Sequence, residues 1–348
     1  MRDGIVGLKL LVYCAGLTLV AACGSVAKPE APTASNTPMA ATKVPSATPE
    51  PPPRILIWSA SPIESGWRAL VARTAKDWAL ERSWLYEMVS GSAEGISLED
   101  ADLVLTLGPV PDAELLAEGH PDLFFIAVGH AGLQPQSNLA VVGEEGLRED
   151  RLAFMAGFLA ALVTEDWRIG AVVGPGEMPA ESLETAFSSG VMYFCGLCRP
   201  AYPPFYEYPQ AAALQGADPG EMQTALEALE SRAVETVYLN EGAMLRAQAQ
   251  QLAASRFGWI VSAEPPAWLE GEALAIVRFD LENAIRTALE TWVDGGEGQS
   301  YPLQVVIEVL NEQVVTPGRE KLAREVLADL MDGAIDTGVD LSQESANP

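Results

Sequence analysis

From residue 54 onward, apolar positions follow two alternating patterns. Short, predominantly apolar runs of β-type residues occur at 54–59, 84–89, 103–107, 123–128, 168–173, 236–239, 258–262 and 273–279. Such runs predict strands buried on both faces, since a half-exposed strand would alternate with period two. Between them, residues 66–80, 151–164, 181–193, 219–231, 243–254 and 281–293 repeat their apolar positions at helical spacing, and 319–331 reads as a terminal helix. Helix starts are marked by Ser65-Gly66, by Asp218-Pro219-Gly220-Glu221 and by Asp280 before Leu281. Strands linked by crossover helices build parallel sheets covered on both sides. Roughly 300 residues of this pattern exceed one ordinary domain, so two α/β lobes are expected, each a doubly wound parallel sheet, around a cleft.

The first 53 residues are of another kind. Arg2 and Lys9 precede the apolar run 10–19, which closes on Val20-Ala21-Ala22-Cys23-Gly24. A basic start, a short apolar stretch and small residues before a cleavage point are the parts of a secretory signal. The ending resembles the lipobox of bacterial lipoproteins, in which the cysteine is acylated and becomes the mature N-terminus. A single membrane-spanning anchor is the alternative, but the run is shorter than the roughly 20 residues that a spanning helix needs. Residues 26–53 are rich in Pro, Thr, Ser and Ala with little to bury, which predicts a semi-extended tether. The expected layout is signal peptide 1–22, lipidated Cys23 with tether to 53, and a folded part from 54 held at the extracytoplasmic face of the cell membrane.

The net charge of −27 changes the picture by exclusion. Loss of residues 1–22 makes it one unit more negative. Nucleic-acid binding needs a basic surface, and flat adsorption to anionic lipid is equally disfavoured. With Cys14 in the signal and Cys23 carrying lipid, Cys195 and Cys198 are left as a Cys-Gly-Leu-Cys pair. In an oxidising compartment this pair is expected to close as a structural disulfide. A thiol-redox role is the other reading of the motif. The pair follows a predicted helix and so sits at its C-terminus, whereas thiolate activation uses the N-terminus. A zinc site would need two more ligands, and His120 and His130 lack the spacing.

Ligands of open parallel sheets bind beyond the C-terminal ends of the strands. Loops 59–66, 108–111, 129–132, 174–179, 240–242 and 262–266 occupy those ends. None carries a dinucleotide fingerprint, a phosphate loop, a nucleophile elbow or an HExxH motif. No catalytic residue, metal site or cofactor is expected, and a non-enzymatic role is. Trp67 offers a flat apolar face for stacking, and Glu264 a carboxylate for hydroxyl groups. Arg278, at the end of an apolar strand, needs an anionic partner, either Glu264 or the ligand. Gly108, Gly129, Asn240 and Glu241 stand at other strand ends. His130 reads as a loop histidine.

Residues 151–164, Arg-Leu-Ala-Phe-Met-Ala-Gly-Phe-Leu-Ala-Ala-Leu-Val-Thr, run into Ile169-Gly170-Ala171-Val172-Val173-Gly174. This stretch resembles the basic membrane protein family of lipoproteins, whose members include purine-nucleoside receptors of ABC importers and carry a helix of the form AFLAGxLAA before a GxVGG strand. His120-Pro121-Asp122 before its strand, and Ala186-Phe187-Ser188-Ser189-Gly190, match further family patterns. The likeness extends over most of 54–316. It implies a type I periplasmic-binding-protein fold, a small-molecule ligand of nucleoside type and an ABC permease as partner. In the segment where the family presents acidic groups to a ribose, this chain reads Val261-Ser262-Ala263-Glu264-Pro265-Pro266, and Arg278 takes the place of a family lysine. Lobe 1 is expected from 54–166 and 263–307, and lobe 2 from 167–262 and 308–340, with crossovers near 164–168, 262–279 and 305–310. Gly157 and the neighbouring alanines are expected to bring their helix close to a sheet. The alternatives left open are a thiol-disulfide lipoprotein using Cys195 and Cys198, and a receptor-like domain kept for protein contacts.

Overall fold

A computed structural model describes residues 51–63, 66–92, 96–110, 112–215, 219–247, 257–269 and 271–341. The signal segment, Cys23, most of the tether, the Glu64-Ser65 pair and positions 248–254 of the expected helix 243–254 lie outside the described residues.

The first sheet contains β1 (Arg54–Ser59), β2 (Leu85–Ser90), β3 (Leu103–Leu107), β4 (Phe124–Val128), β5 (Leu139–Val142) and the short β11 (Ser300–Tyr301). Their order is β11-β5-β4-β3-β1-β2, and every pairing is parallel. β3 and β5 are buried along their whole length, and β1 and β4 at all but their first residue, as continuous apolar runs require. The edge strand β2 is half exposed. On one face, α1 (Gly66–Glu81) packs against α7 (Leu281–Val293), with Val71, Ala75, Trp78, Ile285 and Leu289 buried. On the other, α2 (Ala113–Gly119) covers a smaller core around Trp58, Phe125 and Val141.

The second sheet repeats the plan with β6 (Ile169–Val173), β7 (Gln210–Ala213), β8 (Thr236–Leu239), β9 (Gly258–Val261), β10 (Ala273–Phe279) and β12 (Val305–Val309), ordered β12-β10-β9-β8-β6-β7. All neighbours are parallel except β10 and β12. Its helices are α3 (Glu149–Val163), α4 (Ala180–Cys195), α5 (Pro219–Ser231), α6 (Glu241–Ala247) and α8 (Pro317–Met331).

Two of the expected lobe assignments need correction. β10 pairs with β9 and β12, so residues 273–279 and 305–307 belong to the second lobe. α3 also belongs there, because it packs on α4, α8, β8 and β10. The chain therefore crosses between lobes in residues 143–148, at Asp280 and in 302–304, each earlier than or displaced from the expected crossovers. Gly157 meets the backbone of α4, not a sheet: an added Cβ would overlap the Phe187 carbonyl. β5, β7, β11, β12 and α2 were not among the expected elements; residues 305–310 were expected only as a crossover.

Candidate functional site

In each sheet the chain reverses its direction of strand addition beside the first strand of that sheet, between β1 and β3 and between β6 and β8. Loops diverge at such a point and leave a crevice at the strands' C-terminal ends. A cavity of about 100 Å³ lies there, with walls from both lobes. The first lobe contributes Trp67 and Leu70 of α1 and Leu281 and Glu282 of α7. The second contributes Glu149 and Leu152 of α3, Tyr238, Asn240, Glu241, residues 262–264, and Arg278 of β10. One water needs about 10–15 Å³ measured in this way, so the space is ample for solvent, yet it is smaller than the ~300–1,000 Å³ usual for small-molecule sites. The lobes are thus close together.

Five of the sequence-derived candidates, Trp67, Asn240, Glu241, Glu264 and Arg278, line this cavity. Their chemistry differs from what was expected. Trp67, at the start of α1, is 8% exposed and fixed from several sides. Its indole N–H donates to Glu177 Oε1 at 3.1 Å, and the Arg68 guanidinium carbon lies 4.6 Å from the ring centroid. Asn240 has its amide fully engaged within its own lobe. Oδ1 accepts the N–H groups of Gly174 (2.7 Å) and Ala243 (3.0 Å), and Nδ2 donates to the Gly174 carbonyl (2.8 Å). It ties β8 to β6 and caps α6 at a strand end where the backbone would otherwise be unpaired. Arg278 pairs with Glu308 of the neighbouring β12 at 3.6 Å, not with Glu264. Its Nε is buried without a partner.

Gly108 and Gly129 do not line the cavity but make room for groups around it. Both have left-handed backbone, φ +79° and +73°. A Cβ at Gly108 would stand 2.9 Å from Arg68 Nη2, and one at Gly129 would stand 3.3 Å from Leu147 and 3.6 Å from the Trp67 ring. His130 is buried, with Nε2 3.2 Å from Thr106 Oγ1, and burial lowers its pKa to about 4. Cys195 and Cys198 form a close pair at the end of α4, with Cα atoms 5.1 Å apart, and are not among the cavity residues.

Sequence reading missed Glu149 and Glu177. Glu149 Oε2 accepts the Met178 N–H at 3.0 Å, so its carboxylate is held under the loop between β6 and α4. Burial raises its pKa to about 8, and the nearby charges of Glu177 and Glu241 push the same way, while N–H groups of Met178 and Glu177 oppose them. Burial also raises Glu241, against the lowering effects of the Trp67 N–H and of Arg68. Tyr238 is raised as well by burial, and Ser262 hydrogen-bonds it. Glu149 opens α3 in the structure but precedes the expected helix 151–164, outside every segment that the sequence pattern singles out. Glu177 sits in a loop with no local pattern. Among the described residues, no group of three or more His, Cys, Asp or Glu side chains is disposed to hold a metal ion.

Solved structures with this architecture include a solute-binding protein of an ABC transporter system from Conexibacter woesei. It is 18% identical, with a TM-score of 0.56, over 82% of this chain and 98% of that one. A solute-binding protein of ABC transporter systems from Aeropyrum pernix K1 is 16% identical, with a TM-score of 0.58, over 82% of this chain and 93% of that one. The Escherichia coli transcriptional repressor ascG is 11% identical, with a TM-score of 0.51, over 73% and 97% respectively. The fold is the type I periplasmic-binding-protein fold. At these identities the likeness concerns the fold alone, which receptors and a repressor share. No protein-family model matches the sequence, and no curated protein does.

Proposed function

We propose that this protein is a non-enzymatic solute receptor, held outside the cytoplasmic membrane by lipid on Cys23, which binds a small molecule and passes it to an ABC permease or reports its presence. The observation that carries the reading is the cavity at the paired switch points, walled from both lobes and combining an aromatic face with side chains of both charges. Such a site binds by enclosure between lobes and needs no catalytic group. The export and anchoring part rests on the sequence of residues 1–53.

A purine nucleoside is the proposed ligand class, through the resemblance of 151–174 to the basic membrane protein family. The Trp67 ring in the cavity wall takes the base, Glu264 accepts from hydroxyl groups, and the unpartnered Nε of Arg278 serves the polar end. Native mass spectrometry of the protein purified without denaturation tests for a retained small molecule. Calorimetry against adenosine, guanosine, inosine, sugars and amino acids then tests the class. Binding to another class and to no nucleoside keeps the receptor and discards the nucleoside. Absence of any small-molecule binding discards the receptor reading.

A further inference from the structure

Trp67 and Arg68 belong to the first lobe, and the groups that hold them belong to the second. The Arg68 guanidinium forms an ion pair with Glu177 at 2.7 Å, and both side chains are about four-fifths covered, 20% and 24% exposed. The same oxygen, Glu177 Oε1, accepts from the Trp67 indole at 3.1 Å. The Trp67 backbone N–H donates to Glu241. Both lobes are shaped for these contacts. Gly108 leaves space for the guanidinium and Gly129 for the indole. On the other side, the loop carrying Glu177 is buttressed by Glu149, and the Cβ that Gly176 lacks would stand 2.6 Å from both Glu149 carboxylate oxygens.

We propose that Glu177 is a closure clasp: by gripping Arg68 and Trp67 across the cleft it holds the two lobes together even without ligand, and sets how fast a ligand leaves. Glu177 does not line the cavity, so it acts by positioning. Turning the lobes apart about 143–148, 280 and 302–304 breaks the ion pair, the indole bond and the Trp67 N–H bond together. A charge-assisted bond largely shielded from water is stronger than an exposed pair. Because the clasp is formed in both the empty and the filled closed states, it governs the rates of opening more than the equilibrium affinity. The consequence for ligand release rests on the solute-receptor reading; the clasp itself does not.

The test uses full-length protein, wild type and Glu177→Ala, Glu177→Gln, Arg68→Ala and the Glu177→Ala/Arg68→Ala double variant, with surface Glu227→Gln as control. Amide hydrogen exchange is followed at Trp67 without ligand. That amide donates to Glu241, so faster exchange reports parting of the lobes and not mere loosening around position 177. Glu177→Ala is expected to accelerate it about tenfold, which corresponds to about 1.4 kcal/mol. Glu177→Gln should fall between it and wild type, and the double variant should exchange no faster than the single ones. Unchanged exchange at Trp67 in both Glu177 variants, or additive effects in the double variant, overturns the clasp. With adenosine as probe, release measured by stopped flow should quicken by a similar factor. Accelerated exchange in protein that binds neither adenosine nor any compound of the panel would leave the clasp standing and remove the receptor reading.

Discussion

Gly157 of α3 and Gly190 of α4 each occupy the place where the other helix brings its backbone closest. A Cβ on Gly157 would overlap the carbonyl of Phe187, and one on Gly190 would overlap the carbonyl of Phe154. The two helices therefore touch backbone to backbone, with Ala153, Ala156, Ala160, Ala186 and Val191 fully or almost fully buried around the contact. α3 is apolar on all sides because it lies between α4, α8 and the second sheet, directly after the first crossover.

Gly157→Ala and Gly190→Ala are therefore expected to destabilise strongly, although alanine is the better helix former. Overpacking a dense core commonly costs about 1–3 kcal/mol, and a backbone clash belongs at or above that range. Urea unfolding followed by far-UV circular dichroism checks this. A loss below about 0.5 kcal/mol in both variants would mean that the helices separate readily and that the contact is not tight.

Strands with strong patterns were legible in the sequence. β1, β3, β8 and β10 are buried runs bounded by turn residues, and they form where expected. β7 is Gln-Ala-Ala-Ala on a half-buried edge, and β11 is two residues long, so neither produces an apolar run. Helical spacing located α3 but carries no information about which sheet the helix covers, hence the misplaced lobe boundary. The same limit applies to the cleft. Trp67, Glu264 and Arg278 were visible because residue type and position at a strand or helix end suffice. Glu149 and Glu177 gain their roles only from tertiary contact, since Trp67 and Glu177 are 110 positions apart in the chain.

Glu149 gives a pH signature. Its ordinary pKa of 4.5 rises to about 8 in the folded protein, chiefly through burial, beside Glu177 and Glu241. The native state thus keeps a proton that the unfolded chain has released between these values. The stability associated with protonated Glu149 is full below pH 4.5 and is lost as pH rises through about 8. Glu149→Gln keeps the shape and removes the titration. Its melting temperature should exceed that of wild type by several degrees near pH 9, with the gap closing towards pH 5. A gap independent of pH would show that Glu149 does not titrate in this window.

Cys195 and Cys198, 5.1 Å apart at Cα, are within disulfide reach. We expect them to be oxidised in exported protein, with a mass that rises by two hydrogens on reduction. A loop this short constrains the unfolded chain little, so the Cys195→Ser/Cys198→Ser variant should lose no more than about 2 kcal/mol, the low end for disulfides. Rapid catalysis of insulin reduction by the wild type would favour the thiol-redox alternative instead.

Asn240 and Arg278 both line the cavity, yet they should respond to alanine substitution in opposite ways. The Asn240 amide satisfies both backbone groups of Gly174 and the N–H of Ala243. Without it these groups lose their partners at a buried strand end, and each orphaned group costs about 1–3 kcal/mol. Asn240→Ala should therefore lower folding stability by more than about 2 kcal/mol, whatever ligand is present. Arg278 holds only a loose pair with half-exposed Glu308, while its Nε is buried and unpartnered. Removing it ends an unsatisfied burial, so the stability of Arg278→Ala should stay within about 1 kcal/mol of wild type. Its loss should appear in binding: a truncated buried charge commonly costs about 2–5 kcal/mol, or tens-fold and more in Kd. Arg232→Ala, on the surface of the second lobe, serves as the control. Denaturant melts and calorimetry on the three variants separate the roles. If Arg278→Ala binds the proposed nucleoside as tightly as wild type, Arg278 has no part in the site. If it unfolds as easily as Asn240→Ala, its part is structural.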